Sequence, residues 1–240
     1  MIEIKNINKS NGDFQANKNI SLKVNNGEFV GILGPNGAGK TTLINQVMGF
    51  LKPDSGSISI NKYDTWLNHD SVIEKVGFIA GEIKLYENIK VKQLLNIKKK
   101  FINELDETYL KSLITYFELD LNKKIKKLSK GNKQKVAIIL SLMSKPDVLI
   151  LDEPTSGLDP IMQEKFVILL KKFKEKHKTV ILCSHIYAEI DKLCDRVIFI
   201  KNGELIKESN MDNRLSIEKE FNLLFGDTIN EEEVIFNEEV

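Results

Sequence analysis

Along Ile2–Ile7 apolar and polar positions alternate, the pattern of a strand with one face buried. The turn signals Asn11-Gly12 and Asn26-Gly27 bracket Ile20–Val24, which reads as a second strand. Phe29–Leu33, Val76–Ile79 and Val148–Leu151 are unbroken apolar runs, the pattern of strands in the core of a sheet. Ser57–Ile60 follows the Pro53–Gly56 turn as a short strand, and strand character returns at Thr179–Cys183. Arg196–Ile200 and Glu204–Ile206 flank Asn202-Gly203 and predict a hairpin. Between about Glu82 and Ser144 the texture changes: Leu, Ile, Lys and Glu recur at helical spacing with few glycines. This predicts a helical subdomain, about residues 82–145, inserted into an α/β core. An amphipathic helix is expected around Met162–Glu175, separating two core strands. Residues 1–208 form the main domain on this reading, and 209–240 a C-terminal segment. In that segment Ile217, Phe221, Leu224 and Phe225 fall on one helical face, which predicts docking on the core. The acidic end, with Glu231–Glu233 and Glu238–Glu239, is expected to be solvated.

At 240 residues the chain suffices for one large α/β domain, with or without an inserted subdomain. Lys plus Arg number 35 and Asp plus Glu 34, so no charge excess argues for nucleic acid or anionic lipid as the main partner. Lys98–Lys100, Lys123–Lys127 and Lys171–Lys178 are basic runs, read as solvated helix faces. Cys183 and Cys194 lack metal-ligand spacing and read as small buried apolar residues in a reducing compartment. No signal peptide is visible, and the longest apolar stretch, near Val136–Met143, falls short of the ~18 residues of a membrane span. The expectation is a chain that is soluble and cytosolic by itself.

Two stretches carry chemistry. Gly34–Thr41 fits G-x-x-x-x-G-K-[ST] at every fixed position, after a strand and before helix-forming residues. Gly34, Gly37 and Gly39 allow backbone conformations closed to other residues, so that successive N–H groups converge on phosphate oxygens. Lys40 can then reach the β- and γ-phosphates, and the Thr41 hydroxyl suits Mg²⁺. A helix starting near Lys40 aims its positive end at the same anion. In Val148–Asp159 a buried strand ends in two adjacent carboxylates. Asp152 is placed to hold Mg²⁺ beside the phosphate loop. Glu153, one residue further, is placed to take a proton from a water in line with the γ-phosphate.

With these motifs the sequence resembles the nucleotide-binding subunits of ATP-binding cassette (ABC) transporters, over roughly Met1–Ile206. The family's signature stretch looks like Leu128-Ser129-Lys130-Gly131-Asn132, and its loop after the Walker B strand looks like Ser156-Gly157-Leu158-Asp159. His185, after the strand Thr179–Cys183, matches the family's switch histidine. The resemblance implies a P-loop α/β fold: a mixed core sheet, an inserted helical subdomain and an N-terminal antiparallel β subdomain. It implies ATP hydrolysis with Mg²⁺, with Glu153, His185 and Lys40 catalytic, and with Gly34, Pro35, Asn36, Gly37, Ala38, Gly39, Lys40, Thr41 and Thr42 around the nucleotide. It further implies two cassettes packed head to tail. Ser129, Gly131 and Asn132 of one subunit then face the nucleotide of the other, and Asp159 lies at the interface.

Three positions depart from the family pattern. Asn11 stands where an aromatic residue often stacks on adenine; Phe14 can substitute for it, or its ring can belong to the core. GTP is then a stronger competitor than is usual. Gly81 stands where a glutamine usually follows the Val76–Ile79 strand; Glu82 can take over its metal-linked role or be a plain surface acid. In the signature, Lys130 replaces a glycine and Asn132 a glutamine. The short helical subdomain, the LSKG signature and the lack of a long regulatory domain look similar to one-cassette subunits of bacterial exporters. Those work with a separately encoded integral membrane protein, at the inner face of the cell membrane. The coupling groove is expected near Glu82–Val91, with Leu85 and Tyr86 as candidates for its wall. The rival readings are a soluble ABC ATPase without a transport role and an ATP-switched binding module.

Overall fold

The computed structural model describes residues 1–211 and 216–226. In chain order the elements are β1 (Ile2–Asn11), β2 (Phe14–Val24), β3 (Phe29–Leu33), α1 (Lys40–Val47), β4 (Ser55–Ile60), β5 (Tyr63–Asp64), α2 (His69–Lys75) and β6 (Val76–Ile79). Then come α3 (Val91–Lys99), α4 (Glu107–Tyr116), α5 (Lys130–Leu142), β7 (Val148–Asp152), α6 (Pro160–Glu175) and β8 (Thr179–Cys183). The chain closes with α7 (Tyr187–Leu193), β9 (Arg196–Lys201), β10 (Glu204–Asn210) and α8 (Ile217–Phe225).

Six strands form one sheet in the order β10-β9-β3-β8-β7-β6, all parallel except the antiparallel edge strand β10. Every residue of β3, β7 and β8 is buried, as their unbroken apolar runs require. Successive side chains of these strands feed two separate cores. Phe29, Leu33, Leu149, Leu151, Val180 and Leu182 pack with α3–α7 on one face. Val30, Ile32, Val148, Ile150, Ile181 and Cys183 pack on the other face with α1 and the second sheet. That second sheet is antiparallel, in the order β2-β1-β4-β5.

Both cysteines are buried and unbridged. The helix α8 docks as its apolar face requires: Ile217 is fully buried, Phe221 stacks on Tyr187 and Phe225 on Phe199. The acidic end expected to be solvated lies outside the described residues. No described helix is long and apolar enough to cross a membrane.

The strands β1, β2 and β10 run further than alternation alone predicts, to Asn11, from Phe14 and to Asn210. Ladder pairing carries their polar ends: Asn11 faces Phe14, and Asn210 faces Arg196. Two short elements, β5 and α2, had no clear pattern in the sequence. Within the segment from Glu82, the first helix begins only at Val91.

Candidate functional site

The order of the large sheet reverses around β3, so the chain leaving Leu33 opens a crevice at the carboxyl ends of the parallel strands. There residues 34–39 wrap into a loop and α1 begins at Lys40. Gly39 has φ 103, and a Cβ there would sit 2.2 Å from the Ala16 carbonyl oxygen. No other residue fits that position. Gly34 corrects the sequence reading in part. Its backbone is not in the left-handed region; it is required because a Cβ would meet the Ile200 carbonyl oxygen at 2.2 Å. The loop is fixed from below as well. The buried Asn17 side chain donates to Gly39 O at 3.2 Å and accepts from Gln46 Nε2 at 2.6 Å. Nothing in the sequence marked Asn17, since its partners lie on other elements.

A cleft of about 350 Å³ lies over this loop. Asn36–Thr42 line it with Asp152, Glu153, His185, Gly81, Asn11, Ala16 and Phe14. Lys40 Nζ donates to Gly34 O (2.6 Å) and Pro35 O (3.0 Å), which tethers the ammonium at the loop. It carries three protons, so one remains for a ligand. Burial holds its pKa below the usual lysine value, against the opposing pull of Cys183, Glu153 and Asp152. Thr41 Oγ1 donates to Asp152 Oδ2 at 3.2 Å, and the Gly81 backbone lies against the same carboxylate. Burial raises Asp152, opposed by the Thr41 hydroxyl and by Lys40.

Glu153 leaves the strand end with φ 48, a left-handed conformation for a side chain with a Cβ. Such backbone costs ~1–3 kcal/mol and clusters at functional sites. The turn aims the carboxyl toward His185: Nε2 stands 3.3 Å from Oε1, and the His185 backbone N–H approaches Oε2 at 3.4 Å. Burial pushes the Glu153 carboxyl up to about 7; Asp152 and Glu189 add to this, while the His185 N–H and Lys40 oppose it. Burial and then Lys40 lower the His185 imidazole, so that it is neutral at neutral pH.

Phe14 settles one open alternative. Its ring is 56% exposed and lines the cleft, so it is no core residue. Glu82 is not in the lining; it is exposed and pairs with Lys84 at 3.2 Å. The structure thus does not bring Glu82 to Asp152; the backbone of the neighbouring Gly81 lies against that carboxylate instead. Leu85 packs on the helical core and Tyr86 is exposed.

Ser129, Gly131, Asn132 and Asp159 are also absent from the cleft lining. Ser129 caps α5, its hydroxyl accepting from the Asn132 N–H (3.3 Å) and side chain (3.1 Å). Gly131 packs against the Gly157 carbonyl. Asp159 caps α6, accepting from the Met162 N–H at 3.0 Å. Sequence reading also missed three buried polar residues behind Glu153 and His185, namely Thr155, Ser184 and Glu189; the Thr155 and Ser184 hydroxyls each donate to the Glu189 carboxylate.

A family model described as ABC transporter matches residues 17–156. The chain is 33% identical to the lantibiotic transport ATP-binding protein SrtF of Streptococcus pyogenes, over 92% of this chain and 96% of that protein. It is 34% identical to the bacitracin transport ATP-binding protein BcrA of Bacillus licheniformis, over 89% of this chain and 71% of that one. Among solved structures it is similar to the dimeric ATP-binding cassette MJ0796 in a post-hydrolysis state bound to ADP and Pi. That match has a TM-score of 0.80 and 29% identity, over 89% of this chain and all of the other.

Proposed function

Because this chain belongs to the ABC transporter family of ATP-binding, ATP-hydrolysing proteins, we propose that it powers an exporter, as one of two cassettes that close around ATP and drive a separate membrane-spanning partner. The observation that carries the reading is the division of the motif residues. Lys40, Thr41, Asp152, Glu153 and His185 share one cleft, while Ser129, Gly131 and Asn132 stand outside it at the start of α5. One copy therefore supplies half of a site, and a second copy packed head to tail supplies the other half. In that arrangement the α5 start, with its free N–H groups and helix dipole, meets the γ-phosphate of the facing subunit. The dimeric MJ0796 cassette and the transport names of SrtF and BcrA support the assignment.

Within each half, the loop N–H groups and the remaining Lys40 proton hold the phosphates, and Phe14 offers a ring face to the base. Glu153 accepts a proton from the attacking water. A base held near neutral pH combines an ionised population with proton affinity, which is what the step requires. His185, neutral and facing Glu153, donates to the γ-phosphate and fixes it in line. The Thr41 hydroxyl and Asp152 carboxylate, 3.2 Å apart, are hard oxygen donors that fit a magnesium ion arriving with the nucleotide. The described residues hold no group of three or more His, Cys, Asp or Glu suited to a metal, so phosphate and water would complete its shell. When bound, the ion would neutralise charge on the transferring phosphoryl group.

The test is co-purification of tagged Glu153→Gln protein from membranes with Mg-ATP present. An integral membrane protein in the eluate is the expected result, since slowed hydrolysis holds the pair closed. If only soluble proteins or a self-dimer elute, in a detergent that preserves such complexes, the exporter reading fails and a soluble ATPase role replaces it. The chain is then found in the cytoplasm and not at the inner membrane face.

A further inference from the structure

One buried ionisable group beside the site has no part in the proposed mechanism: Glu189, on the first turn of α7. Its side chain is inside the protein, 4% exposed, between the two loops that carry Glu153 and His185. Thr155 Oγ1, two residues after Glu153, donates to Glu189 Oε1 at 2.6 Å. Ser184 Oγ, immediately before His185, donates to Oε2 at 2.8 Å. Both hydroxyl residues are as buried as the acid, at 1% and 2%. The Ser184 oxygen also accepts the Ile186 N–H at 3.0 Å, so the backbone on the far side of His185 joins the same knot. On its opposite flank the Glu153 loop is held by Gln134 of α5, which donates to Pro154 O at 2.6 Å.

We propose that Glu189 is a positioning residue for hydrolysis: a buried carboxylate that clamps the Glu153 loop to the His185 loop and so sets the distance between base and histidine. Filling this volume with a carboxylate is the costly choice, because a hydrocarbon side chain would need no desolvation. What the carboxylate provides is two directed bonds, one to each loop. Those bonds hold Glu153 in its left-handed turn, which would otherwise relax, and they fix where the His185 backbone N–H meets Glu153 Oε2. The phosphate loop shares no bond with the knot, so nucleotide capture is independent of it. The inference rests on Glu153 as the base and is confined to the catalytic step.

The experiment is steady-state ATP hydrolysis and nucleotide binding by the full chain in five variants. These are Glu189→Leu, Glu189→Gln, Thr155→Val, Ser184→Ala and the Glu189→Leu/Thr155→Val double. A misplaced base of order 1 Å costs about 100-fold, so Glu189→Leu lowers kcat by about 10- to 100-fold. KM and the ATP dissociation constant stay within about twofold, because the loop at Gly34–Thr41 is untouched. Glu189→Gln, which keeps the shape and one acceptor, retains more kcat than the leucine variant. Thr155→Val and Ser184→Ala each lower kcat, and the double variant is no worse than Glu189→Leu alone, since both remove the same bond. The clamp is overturned if Glu189→Leu keeps kcat within about twofold, if KM rises as kcat falls, or if the double variant shows additive losses. Should the leucine variant fail to fold, Glu189→Gln/Thr155→Val replaces the double and additivity decides. Glu153→Gln is measured alongside. Wild-type hydrolysis there removes the base assignment and the clamp with it, whereas a dead Glu153→Gln beside unaffected Glu189 variants removes the clamp alone.

Discussion

Replacing Glu153 by glutamine stabilises the nucleotide-free protein by an amount that grows with pH. The side chain is 25% exposed, and Oε1 has no donor in hydrogen-bonding geometry among the described residues. The carboxyl therefore holds its proton to about pH 7, where an unfolded glutamate would release it near 4.5. A carboxyl raised in this way favours the native state fully below the unfolded value, and that contribution is lost as pH rises through the folded one. The gap from 4.5 to about 7, at ~1.4 kcal/mol per pH unit, amounts to roughly 3–4 kcal/mol once both states are ionised. Between about pH 5 and about pH 8.5 the change is roughly 2–3 kcal/mol, and glutamine has no charge to bring into it. For a domain of this size ~1 kcal/mol moves Tm by roughly 2–4 °C. The mutant's advantage in Tm over the wild type should thus widen by roughly 5–10 °C across that interval. Thermal melts followed by circular dichroism, with a chelator and no nucleotide, measure it. The strained backbone at φ 48 is common to both proteins and cancels. An advantage that is constant with pH, or that shrinks as pH rises, would refute the buried, proton-holding carboxyl.

The same group sets the pH dependence of catalysis: kcat/KM for ATP should fall about tenfold per pH unit below about 7, as the base is protonated. A flat profile down to about pH 5.5 assigns the base elsewhere. Phe14→Ala should weaken ATP binding by ~1–3 kcal/mol, the usual worth of a base stacked on an aromatic ring, with Tm unchanged because the ring is exposed. Equal affinity by equilibrium titration removes Phe14 from the base site. Lys40→Ala and Ser129→Arg proteins should each be inactive, yet a mixture should regain about a quarter of wild-type hydrolysis. Half of its dimers would then be mixed, and each mixed dimer has one intact composite site. A mixture as inactive as its components, though both variants dimerise, rules out head-to-tail sharing.

What could be read from the sequence was whatever depends on near neighbours. The buried strands announced themselves as unbroken apolar runs, because a strand covered on both faces leaves no position for a polar side chain. The loop at Gly34–Thr41 was legible because its glycines, its lysine and its hydroxyl must stand at fixed offsets to surround one anion. The α8 face was legible from Ile217, Phe221 and Phe225, although which residues receive it, Tyr187 and Phe199, was not. The role of Gly34 was misread because a close approach to Ile200, 166 residues away in the chain, looks in sequence like any turn glycine. Phe14 stayed ambiguous for a related reason: an aromatic residue beside a turn suits a core or a cleft equally, and exposure alone separates them.

The support beneath the chemistry was silent for a physical reason. Asn17, Gln46 and Glu189 are polar residues on elements whose patterns are otherwise apolar or amphipathic, while Thr155 and Ser184 stand in the loops that follow β7 and β8. Alone, each reads as a surface position. Their burial is tolerable only because each finds its partner across the fold: Asn17 with Gln46 and Gly39, Thr155 and Ser184 with Glu189. A buried polar group without such partners costs ~1–3 kcal/mol, so these bonds are conditions of the fold forming as well as aids to the site. That is why the motifs disclose which groups meet the nucleotide, while the groups that hold them at their working distances emerge only once strands β3, β7 and β8 stand side by side. A site whose base is strained and desolvated has to draw its rigidity from such cross-braces, and the two from Thr155 and Ser184, next to Glu153 and His185, end on Glu189.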